Sequence, residues 1–558
     1  MNVETVHGLL ESGASRHPDR PALRDDGVEL TWHGWWLSSM HLAAMLHARG
    51  VVPGDVVGVL TSRSVSLPVS FAAVSILGAR FISLNPKWPP QEREGVFDRW
   101  PGAFVLDVSG QFEPEDWSCE EDRVLRVDVP GMEPGEWPSF PRHGGDPDEE
   151  VYLNVTSAST GQPKVAATTH RQLLANTAGV CSTLGLTPDD VHMSLFGVIG
   201  HPHELFMRGL YLGGTTVLTD HTYPRNILSM VSEGGVTVLM GLPPQLDSIG
   251  RLCSRDDVDI STLRMAEAGG MYVSEGMMEL FKQRTGVDLF PVWGSTETSG
   301  VALVGEPGGC CFTRIVEGYS AELRDQDGVT LDGDDRGELW LSGEAVVSRY
   351  LGDRSATAEN FRDGWYRTGD LFERRGDRLE FLGRRGGLIK AAGLKVYPLE
   401  VELAILRHPD VDDVCVVGTD HPARGEMASA FILPRPGREI SASGMRYFLQ
   451  SHLDEHKIPR VFNFVRSLPR TPSGKVDRRA VGRRETEPDF RGEILRSDVE
   501  LVRMLNLRAG LTDGIDGHFD PTWVQEQIDN AIGHNPGPIP DSLLREIMMN
   551  ILNTLRKR

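Results

Sequence analysis

The sequence predicts an α/β protein: a large N-terminal domain of parallel α/β sheets with an antiparallel β subdomain, a small α+β C-terminal domain, and a helical C-terminal extension. Three observations carry that prediction. Between about residues 30 and 300, short apolar runs alternate with longer segments of helical periodicity, the pattern of a largely parallel sheet with helices on its faces. Between about 305 and 385 the runs shorten and turn residues crowd between them, which is the texture of an antiparallel subdomain. After "GRRGG" (383–387) a fresh, shorter α/β pattern begins and ends near Arg484.

Taken in order, "DVVGVL", "GARFISL", "VYLNVTS", "TTVLTD", "VTVLMG", "LRMAEAGG" and "LFPVWGS" read as strands because β-branched and apolar residues concentrate in runs too short for helices. Helices are expected at 170–186, where Leu173, Leu174, Ala178, Cys181 and Leu184 recur near helical spacing, and at 274–285. "GYSAELRDQDG", "GELWLSG" and "RLEFLGR" read as antiparallel strands. In the small domain a helix is expected near 398–408, a strand at "DVCVVGT" and a helix near 442–453. The predicted divisions are 1–384, 385–484 and 485–558, the last following the polar linker "RRETEPDFRGE".

Composition narrows the function. Apolar residues at 40% and charged residues at 24% are ordinary for a globular chain. A formal charge of −22 argues against general binding to nucleic acid or anionic membrane, so a phosphate ligand must be small and held locally. The six cysteines (119, 181, 253, 310, 311 and 415) show no metal or disulfide spacing, and the adjacent Cys310 and Cys311 are either redox-active or plain buried or loop thiols. The N-terminus lacks the basic start and apolar core of a signal peptide, and the uncharged stretch 64–79 is too short for a membrane span. A cytoplasmic protein is expected.

"TSASTGQPK" (156–164) follows an apolar strand and gathers hydroxyls, a glycine and a lysine. Such a loop can turn backbone N–H groups, hydroxyls and an ammonium toward an anion, or it can be a solvated turn. It is not a Walker A loop, because proline precedes Lys164 and valine follows it. With "VWGSTETSG" (292–300), "YRTGD" (366–370), "GRRGGLIKAAGLKVYPLEVE" (383–402) and "PRTPSGKVDRRA" (469–480), all in order, the chain resembles the adenylate-forming superfamily over about residues 5–484. That superfamily includes acyl-CoA synthetases, nonribosomal peptide synthetase adenylation domains and luciferases, and the likeness is strongest to the acyl-CoA synthetases.

The resemblance implies ATP- and magnesium-dependent activation of a carboxylic acid to an acyl-adenylate, with transfer to a thiol, most readily coenzyme A. By resemblance Ser157, Ser159, Thr160, Gly161 and Lys164 hold the β- and γ-phosphates. Gly269 and Gly270 pass close to the nucleobase, and Trp293 with Gly294 and Ser295 stands where the family usually stacks a tyrosine on adenine. Thr296 meets the α-phosphate and Glu297 is the magnesium carboxylate. Asp370 accepts both ribose hydroxyls, and Arg384 reaches ribose or phosphate. Lys475 bridges the attacking carboxylate and the α-phosphate. The small domain is implied to swing about a hinge near 384–387, bringing Gly393 and Lys390 or Lys395 to the thiol half-reaction. The acyl pocket is placed by analogy at Gly197, His201, Phe206, Met240 and Gly241.

Several positions depart from the family pattern. Ala158 replaces a glycine in the cradle, Val165 replaces the glycine after its lysine, and Gly386 with Gly387 replaces a polar hinge residue. Gly197 stands where the family often has a histidine or aromatic residue, which predicts room for a bulkier or more polar acid, with His201 and His203 close by. The extension 485–558 is expected to brace the fold or to mediate oligomerisation or docking; "IPDSLL" is similar to a carrier-domain serine motif but too little chain follows Ser542. Two alternatives stay open: transfer to a carrier protein or an amine, and a non-catalytic ATP-binding protein of the same fold.

Overall fold

The computed structural model describes residues 4–549 other than 85–98, 101, 111–120, 130–138, 156–163, 254–258, 334, 392–393, 422–424, 471–475, 483–524, 526–527 and 530–542. The chain divides into two compact units, Met1–Gly386 and Gly387–Arg558.

In the first unit, a six-stranded sheet runs in the spatial order Val124–Arg126, Phe104–Asp107, Val56–Leu60, Arg80–Leu84, Glu150–Val155 and Val165–Thr169. Its pairings are parallel until the last, where Glu150–Val155 and Val165–Thr169, the segments on either side of 156–164 in the sequence, form an antiparallel pair. Helices Val6–Arg16, Trp32–Ala48 and Ser66–Ile76 pack against this sheet around Trp32, Trp35, Phe71, Phe81 and Tyr152. The first two start at Thr5 and Thr31, whose hydroxyls accept the N–H groups of Gly8 and Gly34. The uncharged stretch at 64–79 becomes the helix Ser66–Ile76, buried at every position, which explains why it is apolar all round. Among the described residues no helix is long and apolar enough to cross a membrane.

A fourteen-stranded sheet joins the parallel and antiparallel halves without a break. Its parallel half contains Pro21–Arg24, Thr215–Val217, Val191–Ser194, Val238–Gly241 and Met265–Ala268. Leu289–Ser295 belongs to both halves: Leu289, Phe290 and Pro291 pair in parallel with 266–268, while Val292 to Ser295 pair antiparallel with 300–304. The antiparallel texture therefore begins at 292, earlier than the sequence suggests. "VWGSTETSG" lies at that switch, and the loops after Gly241 and Ala268 leave the carboxyl ends of neighbouring parallel strands, where open α/β sheets bind ligands. The expected helix at 170–186 spans His170–Leu184; Thr169 and Gln172 form a capping box, and Gly185 at φ +61° ends it two residues early.

The second unit carries a five-stranded sheet of Leu394–Val396, Ile389–Ala391, Gly425–Pro434, Val411–His421 and Val461–Phe464, with helices Pro398–Leu406 and Ala442–Leu449. Its core holds Val401, Ile405, Val416, Ile432, Met445 and Leu449. Of the extension, residues 543–549 are helical, with Leu543, Ile547 and Met549 exposed.

Candidate active site

The loop 295–300 is held from every side. Thr296–Thr298 is a single 3₁₀ turn, opened by the Ser295 N–H donating to Thr298 Oγ1 at 2.9 Å. Gly294 has to be glycine, because a Cβ there would lie 2.3 Å from the Gly300 carbonyl oxygen. Ser299 takes the left-handed conformation at φ +53°, and its hydroxyl donates to the Ala345 carbonyl at 2.7 Å. Below the loop, Asn176 Nδ2 donates to the Val301 carbonyl at 2.9 Å, Tyr319 donates to the Thr298 carbonyl, and the His203 Nε2–H donates to the Ser299 carbonyl at 3.0 Å. Burial holds His203 down at about 4, so the ring is neutral and suited to that contact.

This scaffold presents Glu297, which is buried. Its Oε1 accepts the Tyr350 hydroxyl at 2.6 Å, and the ring of Tyr350 has Lys164 Nζ 4.8 Å from its centroid. Burial, then the neighbouring Glu297, pushes the Tyr350 hydroxyl well above the ordinary phenol range, so it stays a donor. The structure therefore brings Lys164 and Glu297 to one side chain that sequence reasoning missed. Nothing in "SRYLGDRS" signals it: Tyr350 gains its place from the pairing of its backbone with Ala166, next to the phosphate-loop strand. Ser157, Ser159, Thr160 and Gly161, with Ala158, lie outside the described residues.

Asp370 is also buried, and both its oxygens face donors. The Trp293 indole N–H reaches Oδ2 at 2.9 Å and Arg384 Nε lies 3.0 Å from Oδ1. The two strands set this up, since Asp370 and Arg384 are direct Cα partners across Trp365–Arg375 and Arg378–Arg384. Trp293 packs edge-on to Phe372, ring centroids 6.2 Å apart, so the sequence expectation of a stacking platform meets an indole whose edge is tied to Asp370. The neighbouring Arg385 goes elsewhere, to Glu338 at 3.3 Å, which separates the two arginines that the sequence could not. Gly269 is buried with its Cα facing Val292, and Gly270 is exposed at φ +73°.

The residues assigned to the acyl pocket scatter in character. Gly197 is exposed, and a Cβ added there would meet nothing within 4 Å. The His201 ring lies 5.9 Å from that of His203. Phe206 puts its ring into the core, edge-on to Phe71 at 5.3 Å and Trp35 at 6.3 Å, although it also borders a small cavity. Met240 borders the same cavity with His192, Ser194, Glu204 and Arg208, and Gly241 is buried against Leu195 and Leu246. Sequence reasoning missed the charges here. Arg208 lies 2.5 Å from Glu267 and 3.3 Å from Glu204, and all three side chains are buried. Burial opposes the Arg208 charge, but Glu267 and Glu204 together hold its pKa above the ordinary guanidinium value. Glu204 also touches the loop above, because a Cβ on Gly300 would lie 2.6 Å from Glu204 Oε1.

In the second unit Lys475 and Gly393 lie outside the described residues, and Lys395 is exposed, with Lys390 as its Cα partner across the hairpin. On either side of residues 471–475, Arg470 pairs with Val476, and the Asp477 N–H donates to the Pro469 carbonyl at 2.8 Å. Three residues beyond Lys475, Arg478 grips buried Glu402 with both terminal nitrogens at 2.6 Å. Cys310 and Cys311 are not activated: burial pushes both thiols up, Cys311 to about 11.

Among the described residues no three His, Cys, Asp or Glu side chains converge as a metal cage. The donor set offers Glu297 instead, a single carboxylate whose partner Tyr350 also carries Lys164 over its ring, an arrangement that would suit a hard cation shared with phosphates.

Comparison with known proteins gives a consistent result. The family described as AMP-binding enzyme matches residues 10–351, and its C-terminal domain matches residues 400–475. Feruloyl-CoA synthase of Amycolatopsis sp is 29% identical over 493 residues, covering 84% of this chain and 97% of that protein. The 4-coumarate–CoA ligase CCL1 of Humulus lupulus is 26% identical over 511 residues, 85% of this chain and 92% of its own length. Among solved structures, the anthranilate CoA ligase AuaEII bound to anthranoyl-AMP superposes with a TM-score of 0.77 at 23% identity, covering 86% of this chain and 97% of that one. The O-succinylbenzoate coenzyme A synthetase of Bacillus subtilis bound to AMP gives 0.76 at 23% identity, with 86% and 98% covered.

Proposed function

This chain belongs to the AMP-binding enzyme family, and from that premise we propose that it is an AMP-forming acid–thiol ligase that makes a coenzyme A thioester. In the first half-reaction a carboxylate oxygen attacks the α-phosphorus of ATP, the bond to the β-phosphate breaks, and pyrophosphate leaves. In the second, the thiol sulfur of coenzyme A attacks the acyl carbon and AMP departs. The observation that carries the proposal is the convergence of Lys164 and Glu297 on Tyr350, which sets a phosphate-binding cation beside a carboxylate fit for magnesium.

Lys164, with Ser157, Ser159, Thr160 and Gly161, would hold the leaving pyrophosphate, and Thr296 the α-phosphate. Asp370, with Arg384 beside it, would accept the ribose hydroxyls, a task suited to an ionised acceptor-only group. The nucleobase would lie against the backbone of Gly269 and Gly270 and near Trp293. Magnesium, held through Glu297, would supply charge neutralisation on the phosphates. Lys475 would stabilise the charge that builds at the α-phosphorus, and Gly393 and Lys395 would serve the thiol half-reaction. Residues 1–384 would then be the adenylation domain, 385–484 the domain carrying the catalytic lysine, and 485–558 an appended brace or docking element.

The acceptor is supported by the relatives, which are named as coenzyme A ligases. Their named acids differ, so the test uses a panel: ferulate, 4-coumarate, anthranilate and O-succinylbenzoate. Acid-dependent ATP–pyrophosphate exchange is expected with at least one acid, followed by a coenzyme A thioester visible by mass spectrometry. ATP binding with no exchange on any acid would instead identify a non-catalytic nucleotide-binding protein.

A further inference from the structure

We propose that Tyr350 is a positioning residue that keeps Lys164 and Glu297 apart and aims Glu297 at magnesium, a role that rests on the reading of Glu297 given above. The side chain has two faces of contact. Its hydroxyl is committed to Glu297 Oε1 at 2.6 Å, and its ring carries the Lys164 ammonium at 4.8 Å from the centroid. Among the described residues no ion pair joins Lys164 to Glu297, although both meet the same phenol.

The backbone around Tyr350 is a splint between the two loops that would bind the triphosphate. Ser299 donates to the Ala345 carbonyl at 2.7 Å, and the Val347 N–H donates to the Glu297 carbonyl at 2.9 Å. Tyr350 pairs with Ala166, and the Leu351 N–H donates to the Val165 carbonyl at 2.8 Å, immediately after Lys164. The helix Arg354–Asn360, capped by Asp353, sends Thr357 Oγ1 back to accept the Tyr350 N–H at 3.0 Å. Phe361 meets the Tyr350 ring edge-on at 5.3 Å and stacks on Tyr366, so the ring cannot swing away. Residues 345–351 thus tie the loop 295–300 to the start of the strand Val165–Thr169, with the phenol as the cross-member.

The chemistry follows from the two contacts. A carboxylate that offers one oxygen to a cation keeps the other for a donor, and a fixed donor sets its orientation; loss of such a partner weakens metal binding by roughly 10–100-fold. The aromatic face holds an ammonium weakly enough for a phosphate to take it over. Tyr350 would therefore store both groups without spending either on the other.

The experiment measures ATP binding by calorimetry with and without magnesium, using the full chain. In Tyr350→Phe the ring and its packing stay, and only the donor to Glu297 is lost. The magnesium concentration needed for half-maximal enhancement of ATP binding should rise by about 10-fold, while magnesium-free ATP affinity stays within about twofold of wild type. Tyr350→Leu, or Lys164→Met if that variant does not fold, should also weaken magnesium-free binding. An unchanged magnesium requirement in Tyr350→Phe would overturn the proposal, as would an equal loss with and without the metal. Glu297→Gln separates the two claims: if it leaves the magnesium requirement unchanged, the reading of Glu297 fails, whereas a shift in Glu297→Gln without one in Tyr350→Phe sinks the role of Tyr350 alone.

Discussion

Glu204, Arg208 and Glu267 form one group of charges in the large unit, and Glu297 and Asp370 with their partners form another; the two are built differently. In the first, every member is buried and each partner is another charge, Arg208 lying 2.5 Å from Glu267 and 3.3 Å from Glu204. In the second, the carboxylates are buried but their partners are replaceable: a tyrosine hydroxyl, an indole edge, and Arg384, whose side chain is 64% exposed. The charges of the first group offset one another inside the fold, with Glu267 Oε2 left without a donor. The contacts of the second are ones that, on the proposed function, a nucleotide would exchange for its own hydroxyls and phosphates. Mutations should therefore register as stability loss in the first group and as lost nucleotide affinity in the second.

The largest expected effect tests the first half of that contrast. Arg208→Met leaves two buried carboxylates facing each other without their cation, and breaking such a cluster costs roughly 3–5 kcal/mol. Thermal unfolding followed by circular dichroism should show a lower midpoint or loss of soluble protein. Adding Glu204→Gln and Glu267→Gln to the same chain should recover much of the loss, because no uncompensated charge then remains. Failure of the triple variant to recover would mean that packing around Met240 and the cavity, and not charge, holds this region.

The same buried region predicts an acid limit. Burial, with Arg208 adding to it, lowers His192 to about 3, and burial lowers His203 to about 4; burial and a neighbouring imidazole lower His7 to about 4 and His170 to about 3. Each folded value lies below the roughly 6.5 of an unfolded histidine, so the unfolded chain binds more protons as pH falls. Their contribution is complete above about pH 6.5 and is lost progressively as pH falls from there toward about 4. Unfolding midpoints measured from pH 7.5 to 4.5 should drop over that window, before ordinary carboxylates titrate. His192→Phe, which removes one of the four, should make the drop shallower.

The second group should respond in the opposite currency. Asp370→Asn removes the charge facing Arg384 and sets an amide where two donors converge. Hydrogen bonds to charged groups contribute about 1.5–3 kcal/mol, so ATP affinity should weaken by roughly 10–100-fold. The unfolding midpoint should move less than in Arg208→Met. A large stability loss with unchanged ATP affinity would place Asp370 with the structural group.

What could be seen in the sequence follows the same division. The alternation of strands and helices and the ordered motifs identify the two halves of the large sheet and the loops at its switch, because periodicity and turn residues are local. Lys164, Glu297, Asp370 and Arg384 were legible as members of those motifs. Their partners were not. Tyr350 joins the site through a backbone pairing with Ala166, and Arg208 looks like one polar residue in an apolar helix until Glu267, on a distant strand, is seen beneath it. Phe206 is placed at the pocket only by analogy, and its ring, while bordering the cavity, turns to Trp35 and Phe71, a choice made by helices at the other end of the sequence. Trp293 was expected as a flat platform; that its N–H meets Asp370 depends on a strand register no motif encodes.

Trp293 gives the finest test, because the family's usual tyrosine and this chain's tryptophan make different demands. If the indole edge matters through Asp370, Trp293→Phe keeps the contact with Phe372 but leaves Asp370 Oδ2 without its donor. A single neutral donor lost from a carboxylate should then weaken ATP binding by several-fold, on the order of 1 kcal/mol, less than Asp370→Asn. If the ring matters only as a stacking face, Trp293→Phe and Trp293→Tyr, which both keep an aromatic platform without the indole N–H, should bind ATP as tightly as wild type. Equal losses in Phe and Tyr variants would tie tryptophan to Asp370. Wild-type affinity in both would show that the nucleotide breaks the Trp293–Asp370 bond on arrival, which makes that bond another of the exchangeable contacts that set this group apart from the buried one.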